Sequence, residues 1–437
     1  MRYWCELVWL GGDEPESGVV LEVEGDRLTA VAPGPPDGAT MLPGLTIPGL
    51  ANAHSHAFHR ALRARTQSGA GTFGTWREQM YALAGTLDPD RYHALARATF
   101  AEMALAGITV VGEFHYLHHD RDGTPYAEPN AMGRAMLAAA DAVGIRITLL
   151  DTCYLRGGFD APLDPVQRRF ADASAEAWAA RTAKLHGGPA ARIGAAAHSV
   201  RAVDPPALEL VTGVARERAW PLHAHVSEQA AENEASLAAH GATPTELLAN
   251  AGAPGMGFTA VHATHLTERD IALLGRSCCC LCPTTERDLA DGIGPARALW
   301  DAGASLALGS DSHAVIDLFE EARAVELDER LATGERGRHA PADLLRAATA
   351  GGYDSLGWPD GGRLQVGALA DFTTIGLDDV RLAGLDAARA VPGAVFAATA
   401  ADVRHVVVGG RVIVRDGAHV ELDVAHELSA SIRAVWE

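Results

Sequence analysis

Residues 48–56 of this chain read Pro-Gly-Leu-Ala-Asn-Ala-His-Ser-His. The apolar stretch 45–50 predicts a buried strand that ends at this point. Residues two apart on an extended backbone point to the same side, so His54 and His56 can reach one metal ion. Such a pair is a weak signal in a chain with 19 histidines. It gains weight because similar side chains follow other predicted strands.

Short apolar strands alternate with alanine-rich helical segments through the middle of the chain. After the first strand, the predicted strands are Ile108–Phe114, Ile145–Asp151, Ile193–His198, Trp220–His225, Phe258–His262, Ser277–Cys282 and Ser305–Asp311. Predicted helices include Pro89–Ala106, Asn130–Val143, Pro205–Arg218, Thr243–Ala251 and Gly294–Ala302. Eight strands, each followed by a helix, predict an α/β fold, the (β/α)8 TIM-like barrel, because parallel strands need crossover helices. An open doubly wound sheet is the alternative architecture.

The two ends of the chain differ from the middle. Residues 1–47 and 360–437 contain short strand-like runs, such as Gly18–Val23 and His405–Arg415, separated by glycine-rich turns. We therefore expect both termini to pair into one small β-sandwich domain. Residues 48–359 are expected to form the barrel.

Composition limits the possible partners and location. The formal net charge of -20 argues against nucleic acid and anionic membranes as partners. The six cysteines fit a reducing compartment better than a disulfide framework. No clean signal core and no long apolar span stand out. We expect a soluble, cytoplasmic protein.

Polar side chains collect where the predicted strands end, which is where active sites lie in this type of barrel. One histidine at a strand end is usually structural, but a concentration of such residues predicts a site. The stretches are His54 to His56, Glu113 to Tyr116, His198 to Arg201, His223 to Glu228, His262 to His265 and Gly309 to His313.

The residue types in these stretches suit one catalytic zinc ion. Such an ion takes nitrogen and oxygen ligands and keeps one position open for water. Imidazoles from His54, His56 and His225 and the carboxylate of Asp311 can supply the ligands. The ion would lower the pKa of its water from about 15.7 towards roughly 7, producing a nucleophile at neutral pH. Zinc is the expected ion, although iron and manganese accept the same ligands.

Proton transfer can be assigned to nearby residues. Asp311 or His262 could accept the water proton, and Glu228 could pass a proton to a leaving nitrogen. The structural alternatives are that Asp311 caps the next helix and that Glu228 is an ordinary helix-start carboxylate. A second ion often needs a carboxylated lysine, but the only lysine, Lys184, precedes the fourth barrel strand. One metal ion is therefore expected.

Several stretches carry a family resemblance, and two of them are narrow: Glu-Phe-His-Tyr at 113–116 and Cys-Pro-Thr-Thr-Glu at 282–286. With the predicted barrel, they resemble the amidohydrolase superfamily and, more narrowly, the formimidoylglutamate deiminase family. The likeness spans essentially the whole chain. The other matching stretches are Asn52–Phe58, Thr75–Glu78, His198–Arg201, His262–His265 and Gly309–His313.

The resemblance implies zinc-dependent hydrolysis of N-formimino-L-glutamate to N-formyl-L-glutamate and ammonia, a reaction of histidine breakdown, in a homodimer. It implies that the metal ligands are His54, His56, His225 and Asp311, with His262 beside the hydrolytic water and Glu228 by the formimino nitrogen. The dianionic substrate would be bound through its carboxylates by Arg77, Tyr116, His198 and Arg201. Guanidinium groups suit this task because they bind carboxylates with two parallel hydrogen bonds.

Two departures from the family pattern bear on substrate identity. The family usually has Gln where this chain has His59, which we include among the substrate-binding residues. The family also usually continues Cys-Pro-Thr-Thr-Glu with Ala-Asn, where this chain has Arg287 and Asp288. Two other functions stay open at this point: a nucleobase or other ring aminohydrolase, and a non-catalytic scaffold with the same fold.

Overall fold

The structure, a computed structural model, describes residues 1–67, 71 and 73–437, the side chain of Phe73 excepted. Strands make up two sheets in this part of the chain. In chain order the strands are β1 (Arg2–Val8), β2 (Glu16–Glu24), β3 (Arg27–Pro33), β4 (Thr40–Pro48), β5 (Leu50–Ser55), β6 (Ile108–His115), β7 (Arg146–Cys153), β8 (Ala191–Ala197), β9 (Leu222–Val226), β10 (Phe258–His262), β11 (Cys278–Leu281), β12 (Ser305–Leu308), β13 (Phe372–Ile375), β14 (Val403–Val408), β15 (Arg411–Arg415) and β16 (Ala418–His419).

Helices cover the barrel and flank the terminal sheet. They are α1 (Phe73–Ala84), α2 (Pro89–Leu105), α3 (Ala131–Val143), α4 (Ala175–Thr182), α5 (Pro205–Glu217), α6 (Ala230–His240), α7 (Pro244–Asn250), α8 (Glu268–Leu274), α9 (Pro283–Asp288), α10 (Ala296–Asp301), α11 (Leu318–Thr333), α12 (Pro341–Arg346), α13 (Gly352–Ser355), α14 (Ala390–Phe396) and α15 (Val424–Trp436). The side chain of Asp204 caps α5 by accepting a hydrogen bond from the Ala207 N–H. Among the described residues, no helix is both long and apolar enough to cross a membrane.

Strands β5 to β12 form a parallel sheet in sequential order. The sheet closes at its ends because Asp311, just after β12, bonds to the backbone of β5: its N–H donates to the His54 carbonyl at 3.0 Å. Strands β6 and β7 are buried along their whole length. The predicted TIM-like barrel is confirmed, and the open doubly wound sheet is excluded.

The remaining eight strands form one sheet in the order β16-β15-β14-β13-β4-β1-β2-β3. Its strands come from both ends of the chain, as predicted for the β domain. All of its pairings are antiparallel except that of β1 with β4. The expected domain boundaries, after residue 47 and before residue 360, stay predictions.

The apolar stretch 45–50, predicted as one strand, is divided between the two sheets. Leu45 and Ile47 lie in β4 of the terminal sheet, whereas Leu50 begins β5 of the barrel. Gly49 stands between them, and a Cβ there would lie 2.1 Å from the Thr109 hydroxyl oxygen. Glycine suits this position because any Cβ would collide with Thr109 of β6.

A buried ion pair joins the barrel to the terminal sheet. At the start of β7, the Arg146 guanidinium donates to both carboxylate oxygens of Asp371, at 2.7 and 3.2 Å. The same carboxylate accepts from the Tyr353 hydroxyl at 2.8 Å and the Gly409 N–H at 2.7 Å. Asp371 is fully buried, so each of these donors offsets the loss of water around its charge.

We predict that Arg146→Met destabilises the fold by about 3–5 kcal/mol, because it leaves a buried carboxylate without its counter-ion. The measurement is the free energy of unfolding in urea, followed by tryptophan fluorescence. The matched control is Arg134→Met, since Arg134 pairs with Glu128 on the exposed surface and should contribute less than about 1 kcal/mol. Equal unfolding midpoints for the two variants would contradict this account of the domain junction.

Candidate active site

Three imidazoles and one carboxylate meet at the C-terminal ends of the barrel strands. His54 and His56 lie at the end of β5, His225 lies on β9, and Asp311 follows β12. The Nε2 atoms of His54 and His225 are 3.2 Å apart. Oδ1 of Asp311 lies 3.4 Å from Nε2 of both His54 and His56. All four side chains are buried, so the four residues predicted as metal ligands are brought together.

Backbone carbonyls orient two of these imidazoles. Nδ1 of His56 lies 3.0 Å from the Phe114 carbonyl, and Nδ1 of His225 lies 2.8 Å from the His198 carbonyl. A carbonyl only accepts, so each Nδ1 carries the proton and each Nε2 presents a lone pair to the centre. This is the tautomer that binds a cation.

The ligand atoms of His54, His56 and His225 lie within 4.8 Å of one another, and Asp311 adjoins His54 and His56 at distances that suit ligands of one cation. Bonds of about 2.0–2.1 Å place tetrahedral ligands about 3.3 Å apart. The separations of 3.2 and 3.4 Å agree with that value. Without a cation, neutral imidazoles would face one another's lone pairs in a buried space. The donor set therefore fits one divalent ion.

His262 lies beside this centre among three carboxylates. Its Nε2 is 3.8 Å from both Glu228 and Asp311, and its Nδ1 is 3.4 Å from Glu286. Burial alone would lower the pKa of His262, but the surrounding carboxylates raise it well above its usual value. Burial also raises the pKa of Glu228. The cluster can therefore hold and move protons next to the cation position.

Strained backbone accompanies these side chains. Ser227, His262, Ala263, Asp311 and His313 all have positive φ angles, between 41° and 66°. Such conformations are unfavourable for residues other than glycine and persist only where the surroundings enforce them. All five residues follow or end barrel strands, so half of the ten non-glycine residues with positive φ in the described chain lie at the rim that bears the site.

A buried polar network holds the backbone around His54 and His56. The Glu113 carboxylate accepts from the Ser55 hydroxyl at 2.7 Å and from the Ala57 N–H at 2.8 Å. Ser55 also contacts His313, at 3.1 Å. Because Ser55 stands between His54 and His56, this network fixes the backbone from which both imidazoles project.

The residues predicted to bind substrate line a pocket above the metal position. They are His59, Arg77, Tyr116, His198 and Arg201, and they share the pocket with His56, His225, Glu228, His262 and Asp311. Nε2 of His59 lies 3.0 Å from the Tyr116 hydroxyl. Arg201 is 3.3 Å from Glu232, and Arg77 is exposed at the pocket mouth.

Sequence reasoning missed part of the pocket wall. Tyr81, Tyr154, Gln167 and Phe170 also line it. They come from α1 and from the long loop after β7, where neither periodicity nor a motif marks them. A larger surface cavity, about 870 Å³, lies at the opposite end of the barrel. It contains none of the predicted site residues, so its size does not make it the active site.

Known proteins resemble this chain over most of its length. A family model described as "Amidohydrolase family" matches residues 45–413. The formimidoylglutamate deiminase of Pseudomonas aeruginosa is 36% identical over 418 residues, 92% of this chain and 90% of that protein. A 5-methylthioadenosine/S-adenosylhomocysteine deaminase of Natronomonas pharaonis is 29% identical, covering 85% and 82% of the two chains. The crystal structure of an amidohydrolase from Brucella melitensis is 31% identical, with a TM-score of 0.92 and full coverage of both chains.

The Glu113 network leads to a pH-dependent stability prediction. Burial raises the pKa of Glu113 from its usual 4.5 to about 8, although the hydrogen bonds from Ser55 and Ala57 lower it. A raised carboxyl pKa favours folding below pH 4.5, and this contribution is lost as the pH rises to about 8. Relative to Glu113→Gln, which does not titrate, the natural protein should therefore lose up to about 1.4 kcal/mol of stability per pH unit in this window.

The measurement is urea unfolding of both proteins between pH 5 and pH 8, in preparations of equal metal content. The quantity compared is the free energy of unfolding of the natural protein minus that of Glu113→Gln, which should fall as the pH rises. A value that stays constant or increases with pH would show that Glu113 is ionised in the folded protein.

Proposed function

The chain belongs to the amidohydrolase family, and we propose that it is a metal-dependent deiminase that hydrolyses N-formimino-L-glutamate to N-formyl-L-glutamate and ammonia. One observation carries this proposal. Three imidazoles within 4.8 Å of one another, two of them against the Asp311 carboxylate, face a pocket that also holds a proton-transfer cluster and two arginines. The similarity to the Pseudomonas aeruginosa formimidoylglutamate deiminase supports the choice of reaction.

In this proposal His54, His56, His225 and Asp311 hold one divalent ion. Zinc suits three nitrogen donors and one carboxylate oxygen. When bound, the ion supplies Lewis acidity that lowers the pKa of a water molecule enough to make it nucleophilic near neutral pH. Hydrogen bonds to backbone carbonyls fix the tautomers of His56 and His225. Their Nε2 lone pairs therefore face the ion position without rearrangement of either side chain.

Protons move through three side chains near the reacting carbon. Asp311 lies 3.8 Å from His262 and can take the proton released by the attacking water. The pKa of His262 is raised by its carboxylate neighbours, so His262 can accept a proton only after it has passed its own to one of them. Glu228 lies 3.8 Å from His262 on the pocket side. Burial raises its pKa, which favours the protonated carboxyl, and in this role it donates a proton to the leaving nitrogen, which departs as ammonia.

The substrate carries two carboxylates, and the protein carries a net charge of -20. Binding therefore depends on local positive charge. Arg77 and Arg201 supply guanidinium groups, and Tyr116 and His198 supply further polar contacts. Nε2 of His59 hydrogen-bonds to the Tyr116 hydroxyl and so fixes the position of that hydroxyl. We assign these five residues to substrate binding.

A ring aminohydrolase is the second function to test, because the Natronomonas pharaonis relative is named as a deaminase of methylthioadenosine and S-adenosylhomocysteine. A neutral ring needs stacking and amide contacts and gains little from two arginines. The pocket wall around Arg77 and Arg201 favours an anionic substrate. A non-catalytic scaffold is disfavoured because the ligand set and Glu228 are intact.

We further propose that the reaction belongs to histidine breakdown in the cytoplasm. The partner is then a small dianionic formimino amino acid, with neither nucleic acid nor membrane involved. A homodimer is the proposed assembly.

Substrate choice is tested by ammonia release from N-formimino-L-glutamate, N-formimino-L-aspartate, guanine and cytosine on one metal-loaded preparation. We expect turnover of N-formimino-L-glutamate and none of the two bases. In Arg77→Met, kcat/KM should fall about 10- to 150-fold, because a charge-assisted hydrogen bond contributes about 1.5–3 kcal/mol. The fall should lie mainly in KM.

Arg192→Met is the matched control, since Arg192 lies on the wall of the cavity at the other end of the barrel. It should leave both kinetic constants unchanged. Two results together would contradict the deiminase proposal: turnover of guanine or cytosine, and the same activity on that base for Arg77→Met as for the unmodified protein. They would identify the protein as a ring aminohydrolase.

A further inference from the structure

Gln167 holds a fixed orientation behind the pocket wall. Its side chain is buried, and its Oε1 accepts a hydrogen bond from the Asp164 backbone N–H at 2.8 Å. A backbone N–H can only donate, so the amide oxygen must face Asp164 and the amide nitrogen must face the opposite way. The backbone also packs closely here: a Cβ on Gly157 would lie 2.8 Å from this same oxygen.

The amide nitrogen of Gln167 reaches two tyrosines. It donates to the Tyr81 hydroxyl at 2.8 Å and to the Tyr154 hydroxyl at 2.9 Å. Each phenolic oxygen accepts from Gln167 and therefore keeps its own O–H for another acceptor. Within the described part of the chain, neither hydroxyl has a second hydrogen-bond partner. Burial raises the pKa of both phenols, so both stay protonated donors at neutral pH.

Both tyrosines face the same pocket as the two arginines. The Arg77 guanidinium carbon lies 5.9 Å from the Tyr81 ring centroid, and the Tyr154 ring lies 4.7 Å from the His198 ring. The ring of Tyr116 contacts the metal-side ring of His56 at 5.2 Å. No such contact joins Tyr81 or Tyr154 to His54, His56 or His225 in the described residues. The rings of Tyr81 and Tyr154 therefore lie outside the layer of rings that contacts the metal-ligand histidines.

We propose that Gln167 is a positioning residue that makes the Tyr81 and Tyr154 hydroxyls donors to the substrate carboxylate farther from the metal. The inference rests on the proposed deiminase function. In N-formimino-L-glutamate the side-chain carboxylate is the one farther from the reacting carbon. In this proposal the two tyrosine hydroxyls bind that carboxylate, so binding depends on the length of the substrate. The subsite thus selects dicarboxylic formimino acids over those with one carboxylate.

Gln167→Glu tests the direction of these hydrogen bonds with little change of shape. A carboxylate at this position only accepts, so both phenols donate to it and turn away from the substrate. We expect KM for N-formimino-L-glutamate to rise at least about tenfold, with kcat within about threefold of the unmodified enzyme. Tyr81→Phe combined with Tyr154→Phe should give a similar rise. Gln167→Met, which cannot reorient the hydroxyls, should give a smaller one.

Tyr126→Phe is the control, since Tyr126 lies outside the pocket, and it should change neither constant. N-formiminoglycine, which lacks the second carboxylate, is the second substrate. The unmodified enzyme should have at least about tenfold lower kcat/KM for it, and Gln167→Glu should lower that value no further. Thermal unfolding of each variant separates loss of fold from loss of binding.

Two results would overturn the inference. One is an unchanged KM for N-formimino-L-glutamate in both Gln167→Glu and the double tyrosine variant. The other is an equal loss on both substrates, which would make Gln167 a general structural residue. Either result leaves the deiminase proposal standing, whereas that proposal fails if the unmodified enzyme does not release ammonia from N-formimino-L-glutamate.

Discussion

Two backbone hydrogen bonds join residue 311 to the first barrel strand, and the geometry of the site depends on them. The Asp311 N–H donates to the His54 carbonyl, and the His56 N–H donates to the Asp311 carbonyl, at 3.0 and 3.3 Å. They close a barrel whose first strand ends at Ser55 and whose last strand begins only at Ser305. The same contact brings the Asp311 carboxylate against the two imidazoles. Closure of the fold and assembly of the ligand set are thus one event.

The buried negative charges at this rim of the barrel favour the binding of a cation. The carboxylates of Asp311, Glu228 and Glu286 lie buried around His262, and a buried anion without compensation is unfavourable. The neighbouring carboxylates raise the pKa of His262 and burial raises that of Glu228, and both shifts reduce the negative charge here. The donor atoms of His54, His56 and His225 relieve the rest only if they bind a divalent ion. Away from the metal position, the arginines and tyrosine hydroxyls offer the donors that an anionic substrate needs.

Much of this could be predicted from the sequence because strand ends in a parallel barrel share one rim. The predicted strand Ile108–Phe114 is observed as Ile108–His115, and the ligands were assigned from residue type and position alone. The break at Gly49 was missed, since a close approach to Thr109 exists only after β6 has packed beside β5. Gln167 was also missed, because its role depends on which backbone N–H its amide oxygen meets, and it lies in a short 3-10 turn (Val166–Arg169) that no motif marks.

The central claim is that one divalent ion is held by three imidazoles and one carboxylate. X-ray absorption spectroscopy at the metal edge of the purified protein tests it most directly. The account predicts a single metal with three imidazole nitrogens and carboxylate or water oxygens at about 2.0–2.2 Å. Cys282, His262 and Glu286 also lie close enough together to hold an ion. A sulfur ligand at about 2.3 Å, or a second metal nearby, would contradict the account.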